Sequence, residues 1–113
     1  LSTLTRGDLV WLDFDPQAGR EQAGRCPALV LSEGSFNEWT GFAVVCPITS
    51  QVKDYAFEVP LPVGVPFEGV VLTDQFTSLD VRKRKTKIVG NVPVESDFLK
   101  ACSAECTLNS GLN

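Results

Sequence analysis

Residues 7–32 constrain this chain most. Leu9 and Trp11 on one parity, and Val10, Leu12 and Phe14 on the other, make residues 8–14 apolar on both faces. A strand of that kind must be covered on both sides, so it is expected at the centre of a sheet. Asp15-Pro16 ends it. A polar run of about eleven residues follows, closed by Pro27, and residues 28–32 then read as a second buried strand. A connection that long in a compact domain is often functional. It carries Arg20, Glu21, Gln22 and Arg25. Two cations, a carboxylate and an amide can grip and polarise an anionic substrate. They can equally be the ordinary charges of a solvated loop, and the loop by itself does not separate the two.

The rest of the chain is built in short pieces. Gly34, Ser35, Asn37 and Gly41 predict a turn or loop over 33–41, pinned by Phe36 and Trp39. Residues 42–49 read as a third strand, with Phe42, Val44, Cys46 and Ile48 on one face. It ends in Thr49-Ser50-Gln51, two hydroxyls and an amide at a strand end, where scaffolds present chemistry. Tyr55, Phe57 and Val59 alternate with polar positions and predict a half-exposed strand. Pro60, Pro62, Gly64 and Pro66 force a loop. Residues 69–73 predict a fifth strand that ends in Asp74-Gln75, and 76–80 lead into a basic turn before a short sixth strand at 87–92. After Pro93, the residues Glu95, Ser96 and Asp97 suit a helix start, and Val94, Phe98, Leu99, Cys102 and Cys106 form a stripe at helical spacing. The expected fold is mainly β with a C-terminal helix: a small, strongly bent antiparallel sheet or open barrel, as one domain spanning 1–113.

Composition narrows the chemistry. The chain has 113 residues and 43% hydrophobic content, enough for a core without disulfide staples. It has no Met, so its first residues carry no argument. No apolar run approaches the roughly 18 residues a membrane span needs. No charged segment followed by a long apolar one marks export, so the cytoplasm and reduced thiols are expected. The four cysteines, Cys26, Cys46, Cys102 and Cys106, match no zinc spacing, and small buried apolar residues are the reading for the last three. With no His, a Ser-His-Asp triad, a Cys-His pair and a His-based ribonuclease are all excluded. No metal or cofactor is expected. Net charge is −4, yet five of the ten cations lie in Arg82-Lys83-Arg84-Lys85-Thr86-Lys87. A local patch of that kind can hold phosphates while the rest of the domain stays acidic; it is also what a solvated turn between strands looks like.

Taken together, several stretches resemble one family. They are Gly7-Asp8 with Asp13-Phe14-Asp15-Pro16, Gly19-Arg20-Glu21-Gln22-Ala23-Gly24, Pro27 through Ser32, Pro47-Ile48-Thr49, Phe57-Glu58-Val59, Gly69 through Gln75, and Gly90-Asn91-Val92. In this order and spacing they are similar to the MazF/PemK toxins of bacterial toxin–antitoxin pairs, over nearly the whole chain. The resemblance implies an SH3-like barrel, a homodimer, and a cognate antitoxin that competes with RNA for one surface. It also implies a metal-independent endoribonuclease that cuts single-stranded RNA at short sequences. The ribose 2′-OH would attack the adjacent phosphate, leaving a 2′,3′-cyclic phosphate and a 5′-OH.

Carried over position by position, the family's catalytic threonine falls on Thr49. Its catalytic arginine falls on Cys26, with Arg25 one residue earlier. The cyclising transition state gathers negative charge on phosphorus, which an arginine fork can hold and a cysteine cannot. Neighbours on an extended segment point to opposite faces, so Arg25 could substitute only if the loop swung it round. Either Arg25 takes the role, or Cys26 disarms a lethal enzyme and an arginine there would restore the pattern. Glu21 is placed to orient a catalytic group or take the 2′-OH proton. Gln22 and Gln75 suit the edges of splayed bases. Arg20, Ser50, Gln51 and Asp74 complete the candidate RNA contacts, while Arg82, Arg84 and Lys85 steer the backbone. Phe36, Trp39 and Phe76 either stack on bases or pack in the core or an interface. A rival reading is a non-catalytic, toxin-like module that acts by binding a protein, an antitoxin or a topoisomerase, as the gyrase-poisoning relatives of this fold do. The Glu21-Gln22-Ala23-Gly24 loop and Thr49 favour the nuclease.

Overall fold

The computed structural model describes residues 3–14 and 24–109, with side chains to 106. Its elements are β1 (Asp8–Phe14), β2 (Gly24–Val30), α1 (Gly34–Thr40), β3 (Phe42–Thr49), β4 (Glu58–Pro60), β5 (Val70–Leu72), β6 (Thr77–Asp80), β7 (Lys87–Asn91) and α2 (Asp97–Asn109). The sheet is antiparallel and seven-stranded in the order β4-β5-β3-β2-β1-β7, with β6 also paired to β3.

β1 is central, as its two apolar faces require. It pairs with β2 from Leu9–Leu29 to Phe14–Gly24 and with β7 on its other edge. Val10, Leu12 and Phe14 enter one core with Cys26, Ala28, Val30, Ala43 and Val45. Leu9 enters a second with Leu29, Cys46, Ile48, Val71, Leu99 and Cys102. α2 covers this second core, and the Ser96 Oγ accepts the Leu99 N–H at 3.2 Å to cap its start. Of the predicted stripe, Phe98, Leu99, Cys102 and Cys106 pack inward, while Val94 is exposed. Burial pushes the Cys46 thiol up and the Cys102 thiol to about 12, so both behave as apolar core residues.

β3 changes partner along its length. Phe42–Val45 pair with β6, and Ile48 and Thr49 pair with β5. Its other edge pairs with β2 only from Val45–Val30 to Pro47–Ala28. Pro27 and Pro47 both lack a backbone N–H, and the ladder stops between them. Beyond that point β2 continues on β1 alone and β3 turns toward β5, which bends the sheet as expected.

Several stretches differ from expectation: β2 begins at Gly24, inside the predicted loop, and the strand expected through Tyr55, Phe57 and Val59 is only Glu58–Pro60, so that Pro60 pairs with Val70 rather than opening a loop. Residues 33–41, predicted as loop, contain α1, and 77–80, read as a lead-in to the basic turn, form β6. The helix is held by Asn37, which is buried although polar. Its Nδ2 donates to the Leu4 carbonyl at 2.8 Å and to the Ser32 carbonyl at 3.1 Å, and its Oδ1 accepts from the Ser32 hydroxyl. Ser32 Oγ in turn accepts the Val44 N–H at 2.9 Å. Gly41, at φ +78°, ends the helix by giving its N–H to the Asn37 carbonyl. One buried amide therefore joins the N-terminal segment, α1 and β3. Asn37→Ala should cost about 1–3 kcal/mol, because it leaves the buried Leu4 carbonyl unpaired. A lower urea midpoint with an unchanged slope is the expected readout.

Candidate active site

The parting of β2 and β3 makes the site. Cys26 lies on β2 two residues before Ala28, and Thr49 lies on β3 two residues after Pro47; Ala28 and Pro47 are the last pair of the ladder. By strand alternation both side chains lie on the face of Ala28, Val30 and Val45. Arg25 lies on the opposite face, where its guanidinium pairs with Asp13 at 3.2 Å and is about two-fifths exposed. Of the two positions considered for a catalytic cation, then, it is 26 that shares a face with Thr49.

Cys26 is buried in the first core, opposite Leu12. Burial pushes its thiol up, so the position is uncharged at neutral pH and cannot stabilise a phosphate. Thr49 is half-buried at the strand end, and its Oγ1 accepts the Gln51 N–H at 3.1 Å. That bond occupies one lone pair and leaves the O–H to donate outward. Ser50 and Gln51 are exposed beside it.

Two residues of the family-like stretches, given no role above, hold this corner. Gly69 has φ +116°, and a Cβ there would lie 2.0 Å from the Thr49 carbonyl oxygen. Only glycine lets β5 approach so closely. The Glu58 carboxylate accepts the backbone N–H groups of Lys53 (3.2 Å) and Asp54 (3.0 Å), gathering the loop that follows Gln51. A glycine just before an apolar strand was the signal for the first; the second stood only in the Phe57-Glu58-Val59 stretch, with no local sign of its role.

Asp74 and Gln75 are not beside Thr49. Thr49 pairs with Val70 at the start of β5, and Asp74 and Gln75 lie in a 3-10 turn (Thr73–Gln75) beyond its far end, roughly 10 Å along at strand rise. There Asp74 is exposed, and Gln75 is half-buried with its Oε1 lacking a hydrogen-bond partner among the described residues. Partial burial, aided by the Glu58 charge, raises the Asp74 carboxyl above its usual range. These two residues form a separate cluster beside α2.

The basic turn does reach the β1–β2 end. Arg84 Nη1 donates to the Asp13 carbonyl at 3.1 Å, and Asp13 N–H donates to the Arg84 carbonyl at 2.9 Å. Arg82 and Lys85 are exposed around it, and Lys85 turns the chain with φ +53°. Arg84 is half-buried and serves the turn itself. Arg20, Glu21 and Gln22 lie outside the described residues. Phe76 packs against the second core, whereas Phe36 and Trp39 are exposed on α1. Among the described residues no helix is long and apolar enough to cross a membrane.

The chain and its fold are similar to known proteins. Residues 5–104 match the family described as PemK-like, MazF-like toxin of type II toxin–antitoxin system. Over 96 residues the chain is 47% identical to the Endoribonuclease toxin MazF of Escherichia coli K12, covering 84% of this chain and 86% of that protein. The MazF crystal structure (Form-I) from Deinococcus radiodurans superposes with a TM-score of 0.90 at 43% identity, covering 98% of this chain and 99% of that one. A MazE-MazF crystal structure (Form-II) from the same organism gives 0.84 at 43% identity, covering 99% of each.

Gly69→Ala should move Thr49 and Ser50 and cost about 1–3 kcal/mol in backbone strain. A lowered Tm, with amide chemical-shift changes concentrated at 49–51, is expected; unmoved shifts there would remove Gly69 from the site.

Proposed function

The chain belongs to the PemK-like, MazF-like toxins of type II toxin–antitoxin systems, and from that premise we propose that it is an endoribonuclease toxin acting on single-stranded RNA, with catalysis centred on Thr49. The observation that carries this reading is the Thr49 hydroxyl, oriented by the Gln51 N–H, on the same face of the sheet as position 26. The reaction needs no metal. The ribose 2′-oxygen bonds to the adjacent phosphorus as its proton passes to a base, for which Glu21 is the candidate. The bond from phosphorus to the 5′-oxygen breaks, and that oxygen takes up a proton. A 2′,3′-cyclic phosphate and a 5′-OH result.

Charge builds on the phosphoryl oxygens between these two events. The Thr49 O–H donates to one of them, and a cation must hold the others. Arg25 is the resident candidate, but its present pairing with Asp13 on the far face means that it must leave that carboxylate to act. An arginine at position 26 would start among Leu12 and Ala28 and carry its guanidinium out along the Thr49 face, its stem covered by the core. Ser50, Gln51 and Arg20 are proposed as phosphate or base contacts around Thr49. Gln22 and Gln75 are proposed for base edges, and Asp74 for holding the Gln75 end. Arg82, Arg84 and Lys85 supply the field along the backbone.

We further propose that the chain works in the cytoplasm as a homodimer, and that its RNA surface is closed by a cognate antitoxin. MazE-MazF complexes among the structural neighbours support the last point. The buried, neutral Cys26 favours one second reading: a family member that binds its partner without cutting RNA.

Cys26→Arg separates the two. In the presence of a chelator it should cut single-stranded RNA about 10²–10³ times faster than the present chain, the usual worth of one preorganised electrostatic group. A substrate with 2′-deoxyribose throughout should resist. Absence of cleavage across varied sequences would sink the nuclease reading. In the Cys26→Arg background, Thr49→Ala should lower cleavage at least 100-fold, on the same scale, and barely change RNA affinity. Equal losses would make Thr49 a binding residue.

A further inference from the structure

α1 carries the most exposed large apolar surface near the basic turn. Asn37 pins the helix from beneath, and the outer side presents Trp39, 91% exposed, and Phe36, 43% exposed. The two rings, with Ser35 and Glu38, line an open groove of about 660 Å³. A tryptophan left almost wholly in water contributes nothing to this core. Its neighbours include a cation: Arg82 Nη2 donates to the Thr40 carbonyl at 3.4 Å. The guanidinium lies directly over Gly41, where a Cβ would stand 1.8 Å from Nη2. Glycine at 41 thus makes room for an arginine at the end of the aromatic helix.

This corner is joined to the end of β1 by the basic turn. Arg82 is tied to the end of α1, Arg84 to Asp13 at the end of β1, and Arg25 to the same Asp13. Among the described residues Arg82, Lys83 and Lys85 make no ion pair, so their charge faces solvent. Exposed rings beside unneutralised cations are complementary to single-stranded nucleic acid, whose bases stack and whose phosphates need counter-charge. A protein partner seated on apolar contact would meet a small patch rimmed by Glu38, Thr40 and Arg82 instead. Glu38 repels phosphate, which places the base over the rings and the phosphate on the Arg82 side.

We propose that Phe36 and Trp39 form a base-stacking subsite for single-stranded RNA, distal to Thr49, with Arg82 holding the phosphate that leads from it along the basic turn. This rests on the nuclease reading above and extends it: the subsite binds nucleotides beyond those at the cleaved bond. Trp39→Ala should therefore weaken RNA binding about tenfold, the usual worth of one stacked base, and Trp39→Phe should retain most of the affinity.

The test uses the full chain and a mixed-sequence 2′-O-methyl RNA 12-mer, which cannot be cut because its attacking hydroxyl is blocked. The chain has two tryptophans, so Trp11→Phe leaves Trp39 as the sole reporter and keeps a ring against Phe67. Expected results are quenching of Trp39 emission on titration, the tenfold loss in Trp39→Ala, and a salt slope smaller by about one in Arg82→Gln. Binding with unchanged Trp39 emission and full affinity in Trp39→Ala would overturn the subsite and leave the nuclease reading standing. Failure of the 12-mer to bind, together with no cleavage by the Cys26→Arg chain, would overturn both. An emission change that follows protein concentration alone would assign this face to a second copy of the chain and overturn the subsite.

Discussion

Everything in this molecule depends on β1 being apolar on both sides. A strand that must be covered twice cannot sit at an edge, so β2 and β7 flank it and the chain builds two cores rather than one. The sheet then has to bend so that each core closes. Bending is achieved where two prolines interrupt the β2–β3 ladder and β3 passes from β6 to β5. The place where the sheet opens is thus a by-product of how the core is satisfied, and it is there that Thr49 emerges.

That origin explains the character of the corner. Its residues are held by backbone contacts more than by side-chain networks: Gly69 against the Thr49 carbonyl, the Gln51 N–H on the Thr49 hydroxyl, and Glu58 gathering two N–H groups of the following loop. Such a frame is preorganised without any charge of its own. The cations lie elsewhere: the Arg82–Lys87 turn is docked to β1 through Arg84, and Arg25 pairs with Asp13 on the far face. An acidic domain thereby keeps half of its cations in one exposed turn. Position 26, on the Thr49 face, has a neutral thiol where that face would profit most from a cation.

Much of this was legible in the residues. The double-sided pattern of 8–14, the strand at 42–49 and the capped helix after Pro93 each carry a period and a boundary signal, and each formed where expected. α1 was hidden because Gly34, Ser35, Asn37 and Gly41 are turn formers locally. Asn37 prefers to bond nearby backbone, and here that preference is satisfied by carbonyls of Leu4 and Ser32 that pack against the helix. β6 was hidden because Thr77-Ser78-Leu79-Asp80 has little strand character until β3 offers it an edge. Phe42 likewise has the parity of the second core but is 41% exposed at the strand end.

The candidate site divides in the same way. Thr49, Arg25 and the basic turn could be singled out from residue type and from resemblance, because hydroxyl, guanidinium and ammonium chemistry is local to a side chain. The sequence by itself also determined that position 26 lacks a cation. Which of these groups meet was decided only by tertiary structure. Packing turned 26 into the first core and 25 toward Asp13 on the other face, and pairing separated Asp74-Gln75 from Thr49 by the length of β5. Gly69 mattered because another strand's carbonyl lies where its side chain would be. Pairing and register arise from contacts between residues far apart in the chain, and no local pattern encodes the partner.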